Sequence, residues 1–121
     1  MLKEIKIKSH HYFIDENGHI HGEYKSYYDN DQLWEHSFYL NNKRHGEYKY
    51  YHENGQLWEH SFYQNGKLHG EYKIYCDNGK LDYTTFYCQG NDLKVDPDTL
   101  TEQDKTYIML SGRLPLRVQP C

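Results

Sequence analysis

No stretch of the 121-residue chain approaches the roughly 20 apolar residues that a membrane-spanning helix needs, and the N-terminus, Met-Leu-Lys-Glu-Ile-Lys-Ile-Lys, lacks the apolar core of a secretory leader. A soluble, cytoplasmic protein is expected. A basic excess is missing too: 14 Lys and Arg stand against 18 Asp and Glu, for a formal charge of −4. That balance argues against the basic face of a nucleic-acid binder and against strong attraction to anionic lipid. The three cysteines, Cys76, Cys88 and Cys121, have neither metal-ligand nor redox spacing, and an odd count makes a poor disulfide framework, so reduced thiols are expected. Phosphate loop, dinucleotide fingerprint and nucleophile elbow are all absent from the sequence.

Aliphatic residues are also scarce, and the mean hydropathy is −1.10. Disordered chains share that property but are poor in aromatics, whereas this chain is 17% aromatic with 14 Tyr. Its length suits one small domain.

What fills the chain is a repeat. His-Gly-Glu-Tyr-Lys occurs at 21–25, 45–49 and 69–73, so the period is 45 − 21 = 24 and again 69 − 45 = 24. Periods of this size signal arrays of one supersecondary unit. Units 21–44 and 45–68 agree at 17 of 24 positions, including Leu-Trp-Glu-His-Ser-Phe-Tyr at 33–39 and 57–63. Unit 69–92 drifts to Leu-Asp-Tyr-Thr-Thr-Phe-Tyr at 81–87, and a partial unit over about 1–20 precedes them, with Asp15-Glu16-Asn17-Gly18 as its turn.

Each unit carries two turn signals, such as Glu53-Asn54-Gly55-Gln56 and Gln64-Asn65-Gly66-Lys67. Asn-Gly between aromatic and β-favouring residues marks a hairpin, because both central residues of a type I′ turn need positive φ. Two turns per unit mean two strands per unit. The expected fold is all-β: an elongated, single-layer antiparallel meander of tandem 24-residue hairpins over residues 1–95. A C-terminal cap over 96–121 follows, with a helix at about 98–111 and an extended tail at 114–118. Thr99-Leu100-Thr101-Glu102 has the pattern of a capping box and Gly112 that of a stop; Leu100, Tyr107, Ile108 and Leu110 would form the apolar side. At the other end Ile5-Lys6-Ile7-Lys8 has the alternation of an edge strand.

Two-residue turns at 54–55 and 65–66 place Tyr51 opposite Trp58, Lys49 opposite His60, and His60 opposite Glu71. One face then carries Tyr24, Leu33, Tyr39, Tyr48, Tyr50, Leu57, Tyr63, Tyr72, Ile74, Leu81 and Tyr87, and is the expected packed face. The other carries Tyr27, Trp34, His36, Phe38, Tyr51, Trp58, His60, Phe62, Tyr75 and Phe86, interleaved with Glu47 and Lys49. Equivalent residues one unit apart are separated by two strands, about 9.6 Å, so aromatic ladders must be bridged by the strand between them.

The unit His-Gly-Glu-Tyr-Lys, Tyr-x-x-Asn-Gly-Gln-Leu, Phe-Tyr-x-Asn-Gly-Lys resembles the MORN (membrane occupation and recognition nexus) repeat, in the variant found in bacterial antitoxin-like proteins and in proteins of large DNA viruses. The resemblance covers about residues 15–92. It differs from the better-known pattern at Trp34-Glu35-His36 and Trp58-Glu59-His60, which replace Tyr-x-Gly, and at Tyr24, Tyr48 and Tyr72, which replace a glycine. The resemblance implies a single-layer sheet that scaffolds protein assembly, often dimerises, and touches phospholipid.

The nine histidines invite a metal, but His21, His45 and His69 recur about 10 Å apart by strand spacing, whereas ligands on one zinc lie about 3.3 Å from one another. No metal or other cofactor is expected, and His36 and His60 are expected to pair across strands with Glu47 and Glu71. A His, Ser and Glu set near Trp58 recurs near Trp34, as scaffold positions must and catalytic sites seldom do, so no enzymatic activity is expected. Charge-rimmed aromatic patches mark interaction sites. The expected function is a non-catalytic scaffold that binds another protein, or a second copy of itself as a homodimer, through the face bearing Trp34, Phe38, Trp58 and Phe62. The alternatives are an aromatic module for a small cationic or sugar ligand, an antitoxin-like neutraliser of a protein toxin, and peripheral binding of membrane lipid.

Overall fold

The computed structural model describes residues 1–112 and 114–115. The strands are β1 (Lys3–Ile7), β2 (His10–Ile14), β3 (Gly22–Tyr27), β4 (Leu33–Leu40), β5 (Lys43–Arg44), β6 (Gly46–Tyr51), β7 (Leu57–Gln64), β8 (Lys67–Leu68), β9 (Gly70–Tyr75), β10 (Leu81–Cys88) and β11 (Asn91–Asp92). They form one open antiparallel sheet in the order β1-β2-β3-β4-β6-β7-β9-β10-β11, with β5 beside β4 and β8 beside β7. The lysine-bearing strand β1 is an edge, as its alternation predicts.

The two turns of a unit are of different kinds. Asn65 and Gly66 have φ of 51° and 84°, the two-residue geometry that Asn-Gly favours, and Gln64 pairs with Lys67. The same dipeptide at 54–55 does something else: His52 N–H donates to Gln56 O and Gly55 N–H to His52 O, so residues 53–55 form a three-residue loop in which Gly55 alone has positive φ, 89°. Two-residue turns at 54–55 were expected, and the longer loop changes the register. A one-residue bulge follows each such loop, with Tyr50 opposite Glu59 and then Tyr51 opposite Leu57. Bulges recur at Trp34 and Asp82, where Tyr27 faces Leu33 and Tyr75 faces Leu81. Because side chains alternate along a strand, each bulge reverses the facing of what lies before it. Trp34 and Trp58 therefore join the tyrosine face, while Leu33, Leu57 and Leu81 leave it. Lys49 does face His60, but His60 faces Lys73 rather than Glu71, since the chain shifts register by two residues at His69-Gly70.

The rims are laced together. In the long loops of the first two full units an asparagine has two tasks: Asn54 Oδ1 accepts from Gln56 N–H, closing its own turn, while Nδ2 donates to Asp77 O of the next loop at 2.9 Å. Asn30 does the same with Gln32 and Glu53. Aspartate could supply only the acceptor.

The tyrosine face is the packed one. Tyr48 is only 7% exposed, and Ser37, Ser61 and Thr85 are buried in the gaps between rings. On the opposite face, among the described residues, the sheet is covered by a second layer only at its C-terminal end. There α1 (Glu102–Ser111) follows a 3-10 turn (Pro97–Thr99) and closes Phe86, Cys88, Leu100 and Ile108 into a small core, with Leu93, Val95 and Leu114 against it. The helix starts later than 98 because the capping box is Thr101 with Asp104, not Thr99 with Glu102; it ends at Gly112, φ 74°, as expected. Ile108 and Asp104, one turn apart, face the sheet, whereas Tyr107 and Leu110 point to solvent instead of joining the apolar side. Of the tail expected to be extended at 114–118, residues 116–118 lie outside the described residues. No helix among the described residues is long and apolar enough to cross a membrane.

Candidate functional site: an aromatic run on one face, a charged ladder on the other

The bulges divide the ten residues expected on one surface. Trp34 and Trp58 belong to the tyrosine face; His36, Phe38, His60 and Phe62 remain on the opposite face. Tyr27, Tyr51 and Tyr75 stay with the latter at the strand ends, paired with leucines. Phe86 lies beneath α1 and is not available as a surface.

On the tyrosine face the rings form a continuous run. Tyr28 stacks on Trp34 at 5.2 Å, Trp34 meets Tyr50 edge-on at 6.0 Å, Tyr50 meets Trp58 edge-on at 5.3 Å, and Trp58 stacks on His52 at 4.5 Å. Tyr50 is the bridge that strand spacing demands between two tryptophans one unit apart. Each such contact contributes about 0.5–1.5 kcal/mol beyond burial. Trp58 is nevertheless 40% exposed. The pairs Tyr48–Tyr63 and Tyr72–Tyr87 line the same face, and burial pushes Tyr72 up to about 12.

Polar groups are set among these rings. Glu35 accepts from the Ser37 hydroxyl at 2.7 Å and pairs with Arg44 at 3.6 Å, and the Arg44 guanidinium lies over Tyr48 and Tyr63 at 4.8 and 5.6 Å. Glu59 accepts from Ser61 at 2.9 Å, but the residue in the phase of Arg44 is Leu68. Burial accordingly pushes the Glu59 carboxyl above the ordinary carboxylate range, outweighing Ser61 and Arg44. In the third unit the pair is recast: Tyr83 replaces glutamate, Asp92 replaces the cation, and Tyr83 and Thr85 hydroxyls donate to Asp92 at 2.9 and 2.5 Å.

The opposite face carries a cross-strand row, His11–Lys25–His36–Lys49–His60–Lys73, each residue directly opposite the next. Glu4, Glu23 and Glu47 accept from His11, His36 and His60 at 2.6, 2.8 and 2.8 Å. The glutamates expected for His36 and His60 were Glu47 and Glu71; the actual partner lies one strand earlier, diagonally placed. The His36 hydrogen bond holds the Glu23 carboxyl below its ordinary range. Where the third unit has Thr84 instead of histidine, Glu71 is left for Lys105 of α1, at 2.6 Å. His11, His36 and His60 are thus occupied in hydrogen bonds to glutamates along the sheet, and among the described residues no three His, Cys, Asp or Glu side chains converge into a metal-holding group.

Hairpins of one phase, laced at both rims and repeated at 24 residues, match the model of the MORN repeat variant at residues 20–41, 44–65 and 68–89, more than half of the chain. The chain belongs to the MORN repeat variant family. MORN repeats generally act as non-catalytic modules, often in membrane or protein binding. A search of curated proteins finds none that matches this chain. The sequence resemblance extended over the three MORN units and into the partial one before them. In that partial unit Glu4, His11 and Phe13 stand as Glu23, His36 and Phe38 do in the first full unit.

Sequence reasoning missed Tyr28, Tyr50 and His52 as members of the tryptophan run, because only the bulge brings the tryptophans to them. Arg44 and Glu59 were also missed, although the sequence carried a signal: phase 44, 68, 92 reads Arg, Leu, Asp while phase 35, 59, 83 reads Glu, Glu, Tyr.

Proposed function

We propose that this MORN module is a non-catalytic scaffold that binds protein through the tryptophan–tyrosine face, with a second copy of the chain as the first occupant to test. The observation that supports it is the aromatic run through Trp58, which stays 40% exposed on a face that no other layer of the described chain covers. Aromatic residues framed by charge are enriched in protein interfaces. The opposite face is less suited, since its Phe38 and Phe62 lie among carboxylates already paired with histidines.

Sedimentation equilibrium of the native chain and of a Trp34→Ser, Trp58→Ser variant tests this. A native dimer and a folded monomeric variant support self-association through this face. If both are monomers, self-association is wrong, and the face is left to a foreign protein.

A further inference from the structure

One recess on the tryptophan–tyrosine face combines features found nowhere else in the array. Tyr48, Tyr50, Trp58 and Glu59 line a cavity of about 280 Å³. Small-molecule sites usually begin at about 300 Å³, so this volume suits the head of one side chain. Three aromatic rings beside a carboxylate are the chemistry of an organic cation site, because the ring faces are electron-rich and the carboxylate is anionic.

The array itself shows what such a carboxylate takes. Glu35 has its own guanidinium, Arg44, held over Tyr48 and Tyr63. One unit on, Leu68 stands in that phase, and Glu59 forms no ion pair with any described residue. Its Oε1 has no hydrogen-bond partner among the described residues. Repetition separates scaffold from site: phases of Tyr48 and Ser61 recur as Tyr24, Tyr72, Ser37 and Thr85, but the recess does not recur. The first unit has Ser26 in the phase of Tyr50, and the third has Ile74, Asp82 and Tyr83 in the phases of Tyr50, Trp58 and Glu59.

We infer that the Tyr48–Tyr50–Trp58–Glu59 recess is a binding site for the guanidinium group of an arginine side chain presented by a partner protein. The inference rests on the protein-binding reading of this face and names the chemistry it selects. Guanidinium is preferred to a quaternary ammonium because it can donate N–H groups to the unoccupied Glu59 oxygen, whereas a trimethylammonium has none to give. Its planar head also stacks on an indole as an ammonium cannot. Burial raises the Glu59 carboxyl, and an arriving cation opposes that effect by favouring the charged carboxylate.

The test needs no partner. In a Trp34→Phe background, Trp58 is the only tryptophan, and its emission is titrated with N-acetylarginine amide, its uncharged citrulline counterpart, and free arginine. A saturable change with the arginine amide and none with citrulline amide is expected, with Glu59→Gln weakening binding about tenfold. Leu68→Arg, which supplies the missing cation from within the chain as Arg44 does, is expected to abolish binding while the circular dichroism stays native. Absence of a saturable response, equal response to citrulline, or undiminished binding in both folded variants overturns the assignment. Tighter binding of free arginine than of the amide makes the ligand a metabolite and overturns the protein source. Failure here leaves the sedimentation result on the face as a whole unaffected, so the two proposals fail separately.

Discussion

Ile108→Ala tests whether the array behaves as a one-dimensional stack. Ile108 is 0% exposed and packs on Phe86, Cys88 and Leu100, all in the last hairpin or its cap. The substitution removes three carbon groups, about 2.4 kcal/mol of transfer free energy at about 0.8 each, and the cavity left behind brings the expected cost to about 3–4 kcal/mol. In a globular core that loss would be shared by the whole fold. In a stack whose units touch only their neighbours it should fall on α1, β10 and β11 and barely reach β3 and β4. The sequence provides separate reporters, since both tryptophans, Trp34 and Trp58, lie in the first two units and the helix lies after the third. Urea unfolding followed by helical circular dichroism should show the helix of the variant lost well before tryptophan emission changes, and native-state hydrogen exchange should accelerate in β10 but not in β4. Coincident transitions shifted by the same amount would refute the one-dimensional reasoning; a loss below about 1 kcal/mol would refute the packing.

Other consequences concern charge and turns. The raised Glu59 carboxyl contributes stability that is fully present below its ordinary value of 4.5 and is lost as pH rises through the folded-state value, so Glu59→Gln should exceed the native chain in stability at neutral pH and lack that decline in urea titrations across pH. Glu23 has the opposite sign. Its depressed carboxyl contributes stability present above 4.5 and lost as pH falls through the folded value, so Glu23→Gln should be less stable at neutral pH and flatter on the acid side. Asn54→Asp keeps the acceptor for Gln56 but loses the donor to Asp77 O and sets a carboxylate against that carbonyl, at an expected cost of about 1–2 kcal/mol by thermal unfolding; an unchanged midpoint would show the loop-to-loop bond to be immaterial.

The hairpin array was legible because a 24-residue period with paired turn signals leaves few other solutions, and the cap because helix stop signals act locally. The facing of Trp34 and Trp58 was not, for a physical reason. Asn-Gly at 65–66 and at 54–55 is the same dipeptide, yet Asn65 takes positive φ while Asn54 spends its side chain on its own turn and on the neighbouring loop at Asp77. The three-residue loop is shared by Asn78-Gly79, whose asparagine makes, among the described residues, only the local bond to Lys80 N–H, so the dipeptide alone does not decide between the two loops, and the following bulge turns the indole over. The histidine–glutamate contacts were half legible: carboxylate partners for His36 and His60 could be expected, but the strand that supplies them depends on the two-residue shift at His69-Gly70 and on diagonal reach. Phe86 was placed on a surface because its phase matches Phe62; only α1, which follows the last unit alone, distinguishes them.

The central claim is that the bulges gather both tryptophans on the tyrosine face and that this face meets protein. Hydroxyl-radical footprinting of the native chain across a concentration series that spans self-association, read by mass spectrometry, tests both halves at once. Protection of Trp58 and Tyr50 on association, with His60 and Phe62 oxidised at an unchanged rate, is predicted. Protection of Phe62 and His60 together with Trp58 would contradict it, because residues on opposite sides of one sheet would then be covered by a single contact.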